Sequence, residues 1–371
     1  MSHGIDVDYT IQSAWSPQDL AQAMVDVIHP ANLDGSPLSV GAATVLSAQS
    51  DMPGVAQIRL RWPLDAVGPD LPALVVAVTD LFVDLPPVQS LRVDALSLPE
   101  AFARPYPGPK FGIPGTRDRA GVPRRALVGA TVRPGPGLDA LETAEQVAAL
   151  AEAGVNIITE ELIQPDSAHC PFDERVEEVM RVIMEHAERT GRQVIYAFDV
   201  TGSLDDMRFR HDIVRDSGGT SIQVGLSAVG LSASIAMGRY TQLPLHGLTR
   251  GWGAVLRAPQ AGWSFAAYSA LYRLAGVDHL HLGNLAGGQG AEVLTRAASL
   301  LRPLFDYKAC ISMPALRHGH GAPTPATILR HLDSADVIHQ LPAQAGPDEV
   351  PRLVRAWDDA LAGSPAVRAL G

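Results

Sequence analysis

The residues of this chain whose types could do chemistry stand where short apolar runs give out: Arg133, Thr159, Glu161, Asp199, His246, Arg250, His281, His318, His320 and His339. Carboxylates and imidazoles can move protons, and a guanidinium can hold an oxyanion through paired N–H groups. Alternation along a strand sorts them further. In VNIITEE (155–161), Val155, Ile157, Thr159 and Glu161 share one face, and Asn156, Ile158 and Glu160 share the other. In VDHLHLG (277–283), His279 and His281 share a face with Asp278 opposite. Arg133 and Glu161 can therefore face each other, so a structural ion pair competes with any catalytic role. His318-Gly-His320 lies in a glycine-rich loop suited to ligand binding; by ligand type alone, His318, His320 and Glu161 could also take zinc. Gly287-Gly288-Gln-Gly290 lacks the Lys-Ser/Thr of a phosphate loop and reads as a lid with glycine hinges. Cys170 and Cys310 form no CxxC pair and read as small hydrophobes.

The elements that must position these residues fall into two patterns. The first 105 or so residues read as an α+β domain with a mostly antiparallel sheet. Its expected strands are Tyr9–Ala14, Val55–Leu64, Leu74–Phe82 and Leu91–Leu98, with a helix capped by Ser16. Ala103–Arg117, rich in proline and glycine, reads as a connecting segment. From Ala126, eight apolar runs at 126–134, 155–161, 193–200, 220–227, 241–250, 277–283, 309–315 and 335–341 alternate with helical patterns. Examples are Leu141–Ala153, Glu174–Thr190, Phe265–Leu274 and Asp348–Leu361. Eight such pairs predict a (β/α)8 barrel over 106–371, whose chemistry would sit at the carboxyl ends of the strands.

Composition narrows the class. The chain has 371 residues, 46% of them hydrophobic and 19% charged, as a globular enzyme does. Its net charge of −11 and lack of a Lys/Arg run speak against nucleic acid as a partner. No apolar stretch approaches the roughly 20 residues of a membrane span, and the first residues show no signal-peptide pattern. A cytoplasmic protein is the expectation. Lys110 and Lys308 are the two lysines among 29 Lys and Arg residues, a scarcity that matters below.

Three segments carry a resemblance: Gly108–Pro136 (GPKFGIPGTRDRAGVPRRALVGATVRPGP), Ala153–Leu162 (AGVNIITEEL) and Leu274–Gly290 (LAGVDHLHLGNLAGGQG). Arg250-Gly-Trp-Gly and the TPATI segment around Pro325 agree more weakly. On these the chain resembles the large-subunit family of ribulose bisphosphate carboxylase, especially its non-carboxylating RuBisCO-like branch. The resemblance implies a ferredoxin-like N-terminal domain, a TIM barrel, and a homodimer with active sites between one subunit's barrel and the other's N-terminal domain. It also implies proton abstraction next to a carbonyl, giving an enediolate on Mg2+ held by a carbamylated lysine, an Asp and a Glu.

This chain departs from that pattern at each ligand. Thr159 stands at the carbamate lysine, Glu161 at the Asp and Leu162 at the Glu. No carbamylated lysine is expected, and one anionic ligand remains, so Mg2+ stays only a candidate. No organic cofactor is expected. Arg133 and Gly135 replace two lysines at the end of the first barrel strand, and Gly288 replaces the mobile-loop lysine. Arginine keeps the charge but stays protonated, so it cannot serve as a base. Leu341-Pro342-Ala343 replaces the glycine run that cradles a phosphate, so the substrate is not expected to be a bisphosphate. Thr249-Arg250 stands at the family's His-Arg pair, with the Arg displaced by one. His281 occupies a position that contacts substrate in the family.

The expectation is an enzyme without carboxylase activity that enolises a carbonyl or β-keto acid, as an isomerase, tautomerase or carbon–carbon lyase. Arg133, Glu161 and His281 form the expected catalytic set. Thr159, His246, Arg250, His318, His320, Gly287 and Gly288 are expected to bind substrate. Glu161, and behind it Glu160, is the candidate metal ligand. Two rivals are a catalytically silent dimeric binding or regulatory protein and a metal-independent enzyme of specialised metabolism. A direct Arg133–Glu161 bond filling the pocket would favour the silent reading.

Overall fold

The computed structural model describes residues 4–28, 43–135, 137–161, 164–286, 290–342 and 344–363. Its strands are β1 Gly4–Ser13, β2 Thr44–Met52, β3 Val55–Pro63, β4 Val88–Ser97, β5 Leu127–Val132, β6 Ile157–Glu160, β7 Ile195–Asp199, β8 Ser221–Gly225, β9 Leu245–Leu248, β10 Gly262–Trp263, β11 His279–Asn284, β12 Met313–Arg317 and β13 Ile338–Gln340. Two compact units emerge, one from Met1–Pro107 with Arg250–Leu274, the other from Gly108–Thr249 with Ala275–Gly371.

The first unit carries a five-stranded sheet in the order β10-β4-β1-β3-β2. The pairs are antiparallel except β10 with β4, which is parallel and brings Gly262 and Trp263 beside Arg92 and Val93. Arg92 Nη1 donates to the Pro259 carbonyl, which ties the inserted segment to β4. β3 alternates buried and less buried residues, as the period-two pattern of Val55–Leu64 predicted, while β1 starts five residues before the expected Tyr9 and alternates only after its first four, all buried, residues.

Leu74–Phe82 is not a strand. It lies in the helix Leu71–Val83. Asp70 caps this helix by accepting from the Ala73 amide, Pro72 sits in its first turn, and Leu71, Leu74, Val78 and Phe82 are fully buried. That 3-4-4 spacing is helical, and the valines between the anchors had imitated a strand. Ala103–Arg117 also differs from expectation, because Gly112–Ala120 is a helix that ends on Gly121 at positive φ.

In the second unit all eight expected runs form strands and close in the order β11-β12-β13-β5-β6-β7-β8-β9, with β9 pairing β11. Helices pack between them, including Ala140–Glu152, Phe172–Thr190, Leu204–Asp216, Gly290–Leu300 and Val350–Ala362. Asp139 begins the first of these with a reciprocal capping box to Glu142. Inside the barrel Leu127, Ile157, Ile195, Met313, Ala315 and Ile338 pack together with Ala120 and Val122 from the helix Gly112–Ala120 and the turn that follows it. These inward positions are apolar, with His246 and His279 buried on the neighbouring strands β9 and β11, and strand alternation carries the next inward residues, among them Thr131, Thr159 and Arg317, toward the carboxyl ends.

Candidate active site

β5 and β6 lie in register, with Thr131 beside Thr159 and Val132 beside Glu160. One residue further on, Arg133 and Glu161 meet. Arg133 Nη2 and Nε reach Glu161 Oε2 at 3.0 and 3.3 Å. From the opposite side Arg317, the last residue of β12, brings Nη1 to 3.6 Å from Glu161 Oε1. One carboxylate therefore sits between two guanidinium groups and leaves the mouth with an excess positive charge. Arg133 is 57% exposed and Glu161 23%, so water screens the pair and it contributes little to stability. Arg317 was missed in the sequence because its run was ended at Ala315; the alternation Met313, Ala315, Arg317 points to it.

Below this layer the groups are neutral. Thr159 is buried, accepts from Gln340 Nε2 at 2.9 Å and meets Thr131 Oγ1 at 3.3 Å. Gln340 is the inward partner of Ile338 on β13 and was also missed. The Gly283 amide donates to His281 Nδ1 at 3.2 Å, which leaves the proton of a neutral ring on Nε2. His246 is not at the mouth as expected. It is fully buried inside the barrel, with the rings of His279 and His281 centred 5.5 and 6.5 Å away. Neither of its ring nitrogens has a hydrogen-bond partner among the described residues, and burial pushes its pKa down to about 4. β9 runs on two residues past His246 to Leu248, so the ring stops short of the opening.

Glu160 turns the other way, as parity predicted. It is buried and accepts from Arg175 Nε at 2.8 Å, Tyr196 Oη at 2.9 Å and the Asp199 amide at 2.8 Å. Burial raises the Glu160 carboxyl while Arg175 and the Asp199 amide lower it. A carboxylate so engaged is structural and not available to a metal. Asp199 is itself buried and occupied, accepting from the Thr201 amide and Gln223 Nε2. Mg2+ therefore finds a poor donor set at β6: Thr159 is tied to Gln340, Glu160 to Arg175, and Glu161 to two arginines, whereas Mg2+ wants several open oxygen ligands. Among the described residues no group of three His, Cys, Asp or Glu could hold a metal ion, which also removes the zinc option.

The remaining expected residues scatter. His318 follows β12 half-buried, its Nδ1 3.1 Å from His339 Nε2. His320 is exposed in the next turn. Arg250 is exposed and belongs to the first unit. Leu162, Gly287, Gly288 and Ala343 lie outside the described residues. Beside Arg133, a cavity of about 330 Å³ is lined by Thr131, Leu138, Gln344 and, from the helix Ala140–Glu152, Gln146 and Leu150; Glu161 and Arg317 do not line it.

A family profile described as "Ribulose bisphosphate carboxylase large chain, catalytic domain" matches residues 112–298. The chain is 40% identical over 287 residues to the 3-oxo-isoapionate-4-phosphate transcarboxylase/hydrolase of Xanthobacter autotrophicus, covering 76% of this chain and 69% of that protein. It is 32% identical over 321 residues to the 3-oxo-isoapionate-4-phosphate decarboxylase of Rhizobium etli, covering 84% and 77%. A rubisco-like protein from Burkholderia fungorum superposes with a TM-score of 0.88 at 30% identity over 98% of this chain and 96% of that one. No described helix is long and apolar enough to cross a membrane. With a matching barrel, matching relatives and a rebuilt ligand set, the chain belongs to the ribulose bisphosphate carboxylase large-chain family, in its RuBisCO-like branch.

Proposed function

We propose that this chain is a RuBisCO-like enzyme without carboxylase activity that cleaves a carbon–carbon bond in a β-keto acid carrying one phosphate, through an enolate. The observation that carries this reading is Glu161 held between Arg133 and Arg317. The mouth is rich in fixed cations and N–H donors and poor in open bases. Abstracting a proton next to a carbonyl needs a base; losing carbon dioxide from a β-keto acid does not. The carbon–carbon bond breaks, its electron pair becomes the enolate, and carbon dioxide departs. Arg133 and Arg317 then hold the oxyanion as charge develops, and a proton from water returns to carbon. The Gly283 amide orients the His281 ring, whose Nε2 is buried.

Two relatives named as a decarboxylase and a transcarboxylase/hydrolase of 3-oxo-isoapionate-4-phosphate agree with this choice, since a 3-oxo acid is a β-keto acid. Among the isomerase, tautomerase and lyase options the site therefore favours the lyase. We take the working form to be a cytoplasmic homodimer, which light scattering on the purified protein checks. The deciding experiment is incubation with 3-oxo-isoapionate-4-phosphate, reading carbon dioxide release and product by NMR. Release that Arg317→Ala abolishes supports the proposal; ribulose bisphosphate is expected to give no carboxylation.

The direct Arg133–Glu161 bond favours a second reading, a silent binding protein. That reading predicts that the same compound binds without turnover and that His281→Ala leaves the biological role intact.

A further inference from the structure

Behind the mouth lies a chain of rings that the proposed chemistry does not use. His339 is the middle residue of β13, fully buried, on the face opposite Ile338 and Gln340. Trp357, from the helix Val350–Ala362, brings its indole Nε1 to 3.1 Å from His339 Nδ1. The other ring nitrogen, His339 Nε2, lies 3.1 Å from His318 Nδ1. The ring centroids are 5.9 Å apart at the first step and 5.2 Å at the second. His318 is anchored at its backbone, where its amide donates to the Gln340 carbonyl at 2.7 Å.

The proton positions follow from the indole. An indole nitrogen can only donate, so His339 Nδ1 must offer its lone pair. A neutral imidazole has one N–H, which then sits on His339 Nε2. That N–H can only donate to His318 Nδ1, which must be a lone pair in turn. The remaining proton of a neutral His318 lies on Nε2, which makes no hydrogen bond among the described residues. We propose that Trp357 and His339 are positioning residues that fix His318 as its neutral Nε2–H tautomer, so that it meets substrate as a fixed hydrogen-bond donor to oxygen and not as a proton shuttle. The word substrate rests on the function proposed above; the tautomer does not.

Protonating His318 would put an N–H on Nδ1, head to head with the N–H of His339. Relieving that clash would move the His339 proton to Nδ1, against the indole N–H. Either arrangement leaves two buried donors facing each other. The other ionisable groups around His318 are Arg317 before it in the chain and Glu349 from the turn before the last helix. Glu349 favours a charged ring, but burial outweighs it and lowers the His318 pKa. Burial also holds the His339 ring neutral, with its pKa down to about 3.

The test is spectroscopic and uses the full chain labelled with 15N-histidine. Two-bond proton–nitrogen correlations report tautomer and charge, and His318→Gln assigns the signals. The expected result is His318 protonated at Nε2 only, with any titration falling below the ordinary imidazole value. A signal protonated at Nδ1, or titration at the ordinary imidazole value, overturns the proposal. Trp357→Phe removes the indole donor and frees His339 to turn its proton around. His318 should then titrate at higher pH than in the parent, and the pH profile of kcat/KM should gain a new limb. An unchanged spectrum in a folded Trp357→Phe protein also overturns it. If that variant does not fold, the parent spectrum still decides, and His339→Gln gives the second comparison. Absence of turnover with the expected spectrum would count against the proposed function alone.

Discussion

Glu160 and Glu161 are neighbours in sequence with opposite fates, and strand parity is the reason. One turns outward into a buried pair with Arg175; the other turns inward between Arg133 and Arg317. If the two arginines hold an oxyanion, Arg317→Ala should lower kcat/KM by about 100- to 1,000-fold, as loss of a preorganised donor does elsewhere. Steady-state kinetics check this, and a value near that of the parent would remove Arg317 from the chemistry. Glu161→Gln separates a spacer from a metal ligand. As a spacer, Gln leaves two guanidinium groups unneutralised, so inorganic phosphate should bind up to about fivefold tighter while turnover persists in EDTA. Abolished turnover, or turnover that needs a divalent cation, would return Glu161 to the metal. At this scale the sequence showed Arg133, Glu161 and His281 because each ends a run with the right parity. Arg317 stayed hidden because its run was ended at Ala315, whereas Gln340 lay inside the run 335–341 and was passed over because a neutral amide neither carries charge nor moves a proton. The Trp357–His339–His318 chain stayed hidden because its members come from three separate elements.

The barrel strands were legible because all eight combine apolar runs with following helices, whereas the N-terminal misreading at Leu71–Val83 came from a helix so apolar that its period was masked. Within the barrel, one strand position sets how the next layer fits. Gly129 faces inward on β5, and a Cβ there would lie 2.8 Å from Gln340 Cγ and 3.2 Å from Ile338 Cγ2. Gly129→Ala should therefore cost about 1–3 kcal/mol through overpacking and push Gln340 off Thr159. Urea denaturation with a parallel activity assay measures both effects, and an unchanged midpoint would show that the strands shift freely. The Arg175–Glu160 pair ties the helix Phe172–Thr190 to β6 in a site where both side chains are essentially buried. Arg175→Ala leaves Glu160 buried and unpaired, and should destabilise by about 3–5 kcal/mol. A loss below about 1 kcal/mol would mean that water enters to solvate the carboxylate.

Across the whole molecule, two features escape any local reading of the sequence. The first is the grouping of Arg250–Leu274 with the N-terminal unit, made by the pairing of β10 with β4 across a long stretch of chain. A two-residue strand carries no periodic signal. The second is the set of imidazoles kept neutral inside the barrel, since residue type alone does not reveal how completely a histidine is buried. His246 has an ordinary pKa of 6.5 when unfolded and about 4 when folded. Between those values the unfolded chain takes up a proton that the folded chain refuses, so stability falls as pH drops from about 6.5 to about 4 and levels off below. Linkage over that interval converts to roughly 3 kcal/mol for this one residue, and His339, held down to about 3, acts in the same direction. Because His246 has two unpartnered ring nitrogens, an apolar replacement loses no hydrogen bond. His246→Leu should therefore match or exceed the parent near neutrality and keep more of its stability at acid pH. Urea midpoints at about pH 7.5 and 4.5 for both proteins decide it: equal losses on acidification would mean that His246 is not what makes the barrel acid-sensitive.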